Sequence, residues 1–476
     1  MKTINTHRVL GCSIYKLQAI SLIESIVICL ISYILALFIV NDLSYTPIAN
    51  WVDADIRLSQ YKGLILLTAL IAILTGCLAG LYPAIRSTSY APALVLKGSF
   101  GLSPKGKKVR VALIGFQYTV SIALIIVTLF MGLQNHFMTS SEQLGFNKDQ
   151  VAIVNLTPEI YAKHKPQYIQ KLKDYPGIED VAFSVYELSK EDDMIDLEYA
   201  RHEDKDVFFK VFYASENFLS VMDIQVEEGR DFTREDLNKA QSDYIINPAA
   251  ERDFHLHPGD RFNDRTVLGV SKDFRFNSCR IASSPFVFAL NNDIPNPKLV
   301  SYIRFNSKTN LQEAVAHVRE TLKEIDPTFP FEISFYNTIL NNLYQKEQTL
   351  GKLISLFGIM AILISIVGVF GLVLFETQYR RKEIGIRKIN GATTGQILLM
   401  FNKTYIRIVS VCFIISIPIA WMGTQQWLEN FAYKTPLHLW VFIVAFLIIL
   451  SVTIGTVTFR NWQAANENPV NSVKSE

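Results

Sequence analysis

Histidine is the side chain most often used for proton transfer and metal binding near neutral pH, and this chain has eight. Those of its long central polar stretch, His164, His202, His255, His257 and His317, are scattered and lack the paired acid or cysteine spacing of a catalytic or zinc constellation. His255-Leu-His257 could put two rings on one side of a strand, but no third ligand stands at a recognisable distance, so it reads as a solvated pair. Glu191-Asp-Asp193 lacks the spaced oxygen ligands of a calcium loop and reads as a solvated turn. Gly101-Leu-Ser-Pro-Lys-Gly-Lys-Lys108 approaches a phosphate-binding loop. Lys108, however, occupies the place of the magnesium-binding Ser or Thr, and an apolar span opens at Val111 where a soluble helix should begin. There is no Gly-x-Ser-x-Gly nucleophile motif. Catalytic, cofactor-binding and metal-binding residues are therefore all expected to be absent, and the chain is not expected to be an enzyme.

The stretch that does stand out is Arg380-Arg-Lys-Glu-Ile-Gly-Ile-Arg-Lys-Ile-Asn-Gly-Ala392, where five of the first nine residues are Lys or Arg. It connects two apolar runs, 353–375 and 404–423. The first is long enough to cross a hydrocarbon core of about 30 Å as a helix. Bases concentrated on a short connector between spans mark the cytoplasmic side. Ile384 and Ile386 are apolar among charged neighbours, which is the composition of a small docking surface.

Four further apolar runs, 19–40, 63–84, 111–137 and 438–459, bring the spans to six. With 50% hydrophobic and 19% charged residues, and a mean hydropathy of +0.21, the chain belongs to the membrane class. The net charge of +2 carries little information because bases gather at the span ends and acids in the middle of the chain, and nothing marks a nucleic-acid surface. Gly76-Cys-Leu-Ala-Gly80 offers the second span a small face for close helix approach. The roughly two hundred polar residues after the third span are enough for a domain with its own core. Strand-like runs at 151–156, 181–185, 207–213, 244–246 and 266–270 are joined there by a helix after Thr309-Asn310 that Asp326-Pro327 ends. Gly229 and Gly269 are expected at tight turns, and Arg230 and Asp231 as a pair or a cap. Of five cysteines only Cys279 lies in this region, so no disulfide is expected inside it.

Glu383-Ile-Gly-Ile-Arg-Lys-Ile-Asn-Gly-Ala392, directly after a span, resembles the hallmark of the MacB/FtsX-type ABC transporter permeases. Asn217-Phe-Leu-Ser-Val-Met222, Glu228-Gly-Arg-Asp-Phe232, Ile246-Asn247 and Gly269-Val-Ser-Lys-Asp-Phe274 resemble, in order, pieces of the extracytoplasmic core domain of the same family. The resemblance implies an α-helical transmembrane bundle plus an extracytoplasmic α+β domain. It assigns coupling to an ATPase to Glu383, Ile384, Gly385, Ile386, Arg387, Lys388, Gly391 and Ala392. The implied partners are a cytoplasmic ABC ATPase that uses the ATP, the lipid bilayer, a second permease chain and a periplasmic adaptor. The implied work is export or envelope handling of a peptide, lipoprotein or drug. A membrane-anchored regulator of a cell-wall hydrolase and a non-functional remnant are the alternatives.

Internal similarity refines the organisation. Arg8-Val-Leu-Gly-Cys-Ser13 matches Lys388-Ile-Asn-Gly-Ala-Thr393, and Ala91-Pro-Ala-Leu-Val-Leu-Lys97 matches Asn468-Pro-Val-Asn-Ser-Val-Lys474. The expected division is an incomplete first permease module at 1–110, a span at 111–137, the outer domain at 138–345 and a second module at 346–476. Arg8 and Gly11 are the first-copy counterparts of the coupling residues. The first copy begins at its elbow, so Met1 is expected to start a truncated product or to be a late start in a longer frame. Inside the spans, Glu24 and Arg407 are ionisable. Snorkelling accounts for them, and an ion pair between them is the alternative. Both termini are expected in the cytoplasm of a cell (inner) membrane protein, with 138–345 outside.

Overall fold

A computed structural model describes residues 7–8, 10–46, 60–88, 104–140, 144–189, 196–239, 241–275, 278–290 and 299–465. Glu191-Asp-Asp193, the first residues of the phosphate-loop-like motif, and the repeat segments at 91–97 and 468–474 lie outside them. The chain divides into two compact units.

The first unit comprises residues 1–128, 349–421 and 439–476. Its helices are α1 (Ile14–Leu43), α2 (Lys62–Thr88), most of α3 (Pro104–Thr139) and, after the second unit's insertion, parts of three long helices described below. Among the described residues, six helices are long and apolar enough to cross a membrane. Large aliphatic side chains such as Ile28, Leu35, Leu66 and Leu78 lie exposed along α1 and α2, as lipid-facing surfaces require. The Gly76 to Gly80 face meets α1. A Cβ on Gly76 would sit 2.9 Å from Ile26 Cα, and one on Gly80 2.7 Å from Ser25 Oγ, so only the missing side chains allow this approach. Polar contacts fasten the pair at both ends: Tyr33 Oη donates to the Ile65 carbonyl at 2.7 Å and Gln18 Nε2 to Thr88 Oγ1 at 3.0 Å.

The second unit comprises residues 129–348 and 422–438. Its strands are β1 (Val151–Leu156), β2 (Ile178–Ser184), β3 (Asp196–His202), β4 (Lys205–Ala214), β5 (Val226–Gly229), β6 (Tyr244–Ile246), β7 (Arg261–Phe262), β8 (Arg265–Ser271), β9 (Phe286–Leu290), β10 (Leu299–Phe305) and β11 (Ile333–Phe335). They form one sheet in the order β11-β1-β10-β2-β4-β9-β6-β8-β5, with β3 beside β4 and β7 beside β8. Pairing is antiparallel except for β4 with β9 and β6 with β8. Helices α4 (Lys165–Lys173), α5 (Phe218–Met222), α6 (Pro248–Phe254), α7 (Leu311–Ile325) and α8 (Tyr336–Leu343) pack around it.

Both faces of the sheet are covered, which explains the unbroken apolar runs in its strands. Along β10, Val300 and Tyr302 enter a cluster with Phe212, Phe218, Phe286 and Phe288, while Ile303 and Phe305 enter another with Tyr168, Val318 and Leu322. Asn310 caps α7 by accepting from Gln312 N at 3.1 Å, and α7 ends at Asp326. Gly229 has φ +78°. Gly269 differs from the expected turn: it lies within β8, where a Cβ would meet Glu228 O at 2.7 Å and Arg230 O at 2.8 Å, so it serves close strand approach. Arg230 forms its ion pair with Asp236 at 2.7 Å and donates to the Asp231 carbonyl at 3.0 Å, while the Asp231 carboxylate accepts from Phe232 N. Cys279 accepts a hydrogen bond from Tyr344 Oη at 3.2 Å, and burial pushes its thiol pKa up.

Four further helices are α9 (Gln345–Tyr379), α10 (Arg381–Ile389), α11 (Thr394–Leu428) and α12 (Leu439–Ala465). The sequence reads 342–351 as a stalk with few breakers. The structure breaks it at Tyr344, whose fully buried ring turns into the second unit's core between α8 and α9.

Candidate functional site

The basic connector forms α10, a nine-residue helix that follows α9 after Arg380. Glu383 and Arg387, one turn apart, pair at 2.8 Å, an arrangement worth a few tenths of a kcal/mol at such exposure. The end of the helix is fixed by Gly391 at φ +85°, a conformation glycine adopts without a Cβ clash. Gly391 N donates to Lys388 O at 3.0 Å and Ala392 N to Arg387 O at 2.9 Å. These are the two bonds of a Schellman turn, and they satisfy carbonyls that the helix end leaves open. The next helix starts at once. Thr393 Oγ1 accepts from Gln396 N at 3.3 Å and Gln396 Oε1 accepts from Thr393 N at 3.1 Å, a reciprocal capping box.

The same turn recurs at the N-terminal end of the chain. Gly11 has φ +92°, Gly11 N donates to Arg8 O at 3.1 Å, and Cys12 N donates to His7 O at 3.0 Å. Ser13 then caps α1 by accepting from Lys16 N at 3.4 Å, as Thr393 caps α11. The internal similarity seen in sequence is thus a repeated piece of backbone hydrogen bonding. Arg8 has a local task as well, because its guanidinium donates to the Thr88 carbonyl at the end of α2 at 2.8 Å.

The elbow residues differ in accessibility. Ile384 is buried at 4% exposure and Gly385 is buried beside it, whereas Ile386 and Ile389 are 55% and 65% exposed. Two residues apart on a helix means opposite sides, and three apart means one side. The exposed aliphatic pair is therefore Ile386 with Ile389, flanked by Arg387 and Lys388, while Ile384 anchors the helix from beneath. This corrects the reading of Ile384 and Ile386 as one exposed pair.

Just above the elbow lies a buried polar cluster that the sequence did not single out. Glu376, 8% exposed, pairs with Arg380 at 3.0 Å and accepts from Tyr405 Oη at 3.2 Å. Next to it Thr377 Oγ1 and Asn461 Oδ1 are 2.7 Å apart. The signal for it was a glutamate placed one helical turn before a basic run. Glu24 and Arg407 are both exposed, and among the described residues the structure does not bring them together. Exposed positions on a span leave snorkelling as their route to water.

The segment between α11 and α12 is a second feature outside the sequence expectations. Within the second unit, Phe431 is 2% exposed in the large core cluster. Tyr433 N donates to Cys279 O at 3.1 Å, Ser283 N donates to Tyr433 Oη at 3.0 Å, and Arg275 lies 4.0 Å over the Tyr433 ring. Gln134 bonds the Tyr433 carbonyl at 3.0 Å and Thr435 N at 2.8 Å. The aromatic density of Trp427, Phe431 and Tyr433 in a short connector could have revealed this anchoring.

Apolar helices joined by a capped basic elbow, with an α+β domain inserted in the chain, define a multi-pass membrane protein. Residues 355–469 match the FtsX-like permease C-terminal family. The macrolide export ATP-binding/permease protein MacB of Aggregatibacter actinomycetemcomitans is 25% identical over 212 residues, which cover 42% of this chain and 32% of that protein. MacB of Neisseria gonorrhoeae is 25% identical over 223 residues, 44% of this chain and 34% of that protein. The match thus spans about a third of the length of these curated relatives. The solved periplasmic region of MacB from Actinobacillus actinomycetemcomitans aligns with a TM-score of 0.31 at 15% identity, covering 42% of this chain and 94% of that one. The chain is thus similar to ABC-type permeases of the MacB/FtsX family over these stretches, and it combines six candidate membrane-spanning helices among the described residues with an α+β domain.

Proposed function

We propose that this permease couples a separate cytoplasmic ATPase, through α10, to its extracytoplasmic domain, and that the coupled work is export or envelope handling of a peptide, lipoprotein or drug. The observation that carries this reading is the exposed Ile386 and Ile389 pair on a short helix whose C-terminal end is fixed by local hydrogen bonds and is followed at once by a capped helix. Exposed aliphatic groups ringed by Arg387 and Lys388 suit a partner groove with acidic edges. Glu383, Gly385, Gly391 and Ala392 shape the helix, and Ile384 seats it. Arg8 and Gly11 build the corresponding turn of the first copy. The anchored connector with Phe431 and Tyr433 supports the outward half of the reading, since it fastens a loop between two spans to the domain core. A second permease chain and a periplasmic adaptor complete the proposed assembly, and the proposed site is the cell (inner) membrane.

The test is co-purification. Ile386→Asp with Ile389→Asp should abolish recovery of an ATPase with the full-length chain, while membrane insertion is unchanged because no span is touched. Recovery at the wild-type level would leave α10 as a positive-inside anchor with no docking role.

A further inference from the structure

Away from the elbow, the structure gathers three donors that the sequence keeps apart. Glu228 comes from edge strand β5, Glu251 from α6, and His257 from the turn after α6, with one ligand atom of each lying within 4.8 Å of the others. His257 Nδ1 is 3.6 Å from a Glu251 oxygen.

Their backbones are fixed independently. Glu228 pairs opposite Val270 just after an irregularity in the β5/β8 register, a feature that re-aims a side chain. Glu251 N donates to Asn247 O at 3.1 Å within α6. His255 then turns the chain left-handed at φ +53°, Leu256 N donates to Glu251 O at 3.2 Å, and buried Leu256 pins the turn. That reversal carries His257 back over α6, where its N–H donates to Asp260 Oδ2 at 2.7 Å.

Two carboxylates held this close repel one another unless a cation sits between them. Among the described residues neither glutamate forms an ion pair with Lys or Arg, and His257 is the basic group that approaches Glu251. A protonated imidazole offsets a single charge, whereas a divalent ion with a neutral imidazole offsets both.

We infer that Glu228, Glu251 and His257 form a binding site for a divalent transition-metal ion such as zinc. One imidazole nitrogen with two carboxylates matches that class, and it does not suit calcium or magnesium, which take all-oxygen shells. Bonds of about 2.0–2.2 Å in a tetrahedron place donors roughly 3.4 Å apart. Closing from the present separations takes about an ångström of side-chain rotation at a partly exposed surface. Water completes the coordination, and the ion staples the edge strand β5 to the α6 turn.

The experiment uses the full-length chain in detergent micelles, stripped with a chelator and dialysed free of it. Zinc chloride is titrated calorimetrically, and cobalt uptake is followed by its visible absorption. The wild type should take up one ion saturably, and zinc should raise its melting temperature. His257→Ala, and separately Glu228→Gln with Glu251→Gln, should weaken uptake about 10-fold or more and lose the zinc-dependent shift, while His164→Ala should bind as the wild type does. Without zinc every variant should still melt cooperatively, with Glu228→Gln and Glu251→Gln together at or above the wild type because the mutual repulsion is gone. If one variant folds poorly, the other decides. No saturable uptake by the wild type, or uptake that both cluster variants retain, overturns the site.

Discussion

Asp236 is the residue on which the Arg230 region turns. Only 1% exposed, it holds Arg230 by two bonds at 2.7 and 2.9 Å and also accepts from the Thr233 backbone and hydroxyl. The Arg230 guanidinium is the leading reason its carboxyl is held well below the usual carboxylate range. A carboxylate with a depressed folded pKa adds stability that is present above its unfolded value, about 3.9, and is lost as pH falls toward the folded value. Asp236→Asn should therefore destabilise the full-length chain by about 2 kcal/mol at neutral pH, and the gap should narrow below about pH 4. Thermal melts of the two proteins across pH check this, and a gap independent of pH would remove Asp236 as the titrating group. The sequence placed Arg230 in a structural pair but chose Asp231, because adjacency is all that a sequence shows. A partner six positions on depends on the 3-10 turn over Asp236–Asn238. Ile384 illustrates the same limit, since its burial depends on the side of α10 that faces the neighbouring spans.

At the scale of elements, apolar length and glycine spacing carried most of the legible information. All six spans could be read, because a run of about 20 apolar residues has few other uses. The Gly76 to Gly80 face was legible as well, and its partner α1 was not. A Cβ on Gly76 would lie 2.9 Å from Ile26 Cα and 3.3 Å from Cys29 Cβ, too close for the two helices to keep their approach. Gly76→Leu should accordingly force α1 and α2 apart and lower the melting temperature of the protein in detergent, whereas Gly132→Leu, where nothing lies within 4 Å of an added Cβ, should not. Equal melts for the two variants would place another surface of α2 against α1. The sheet was less legible. Phe286–Leu290 and Leu299–Phe305 are buried on both faces and so show no alternation to mark them as strands. The break at Tyr344 was hidden because tyrosine is no helix breaker, and only the buried pocket it fills stops the helix there.

For the whole molecule, the basic elbow, Arg86 and the lysines of 97–108 all lie between spans on one side of the charge pattern. Reporter fusions at Asn310 and at Ser475 should report opposite compartments, Asn310 outside and Ser475 in the cytoplasm. A cytoplasmic signal from Asn310 would invert the proposed arrangement. The composition made the membrane class legible from the start, and the repeated elbow indicated two related halves. The anchoring of the 422–438 connector in the second unit was not legible, because joining residues 275–283 to residue 433 requires a tertiary contact that neither segment announces.

The pairing of β1 also sets a timetable for the chain. Val151–Leu156 takes its neighbours from β10 and β11, with Ala152 opposite Ile303 on one side and Phe335 on the other. At roughly 5–20 residues per second of synthesis, β1 waits on the order of ten seconds or more before its first partner exists. Throughout that interval an apolar strand has both edges open and is a template for any other chain. Delivery of the complete insertion before its sheet can close thus makes the domain dependent on protection while it is being made, and an interruption between the third span and β11 would leave a product committed to aggregation.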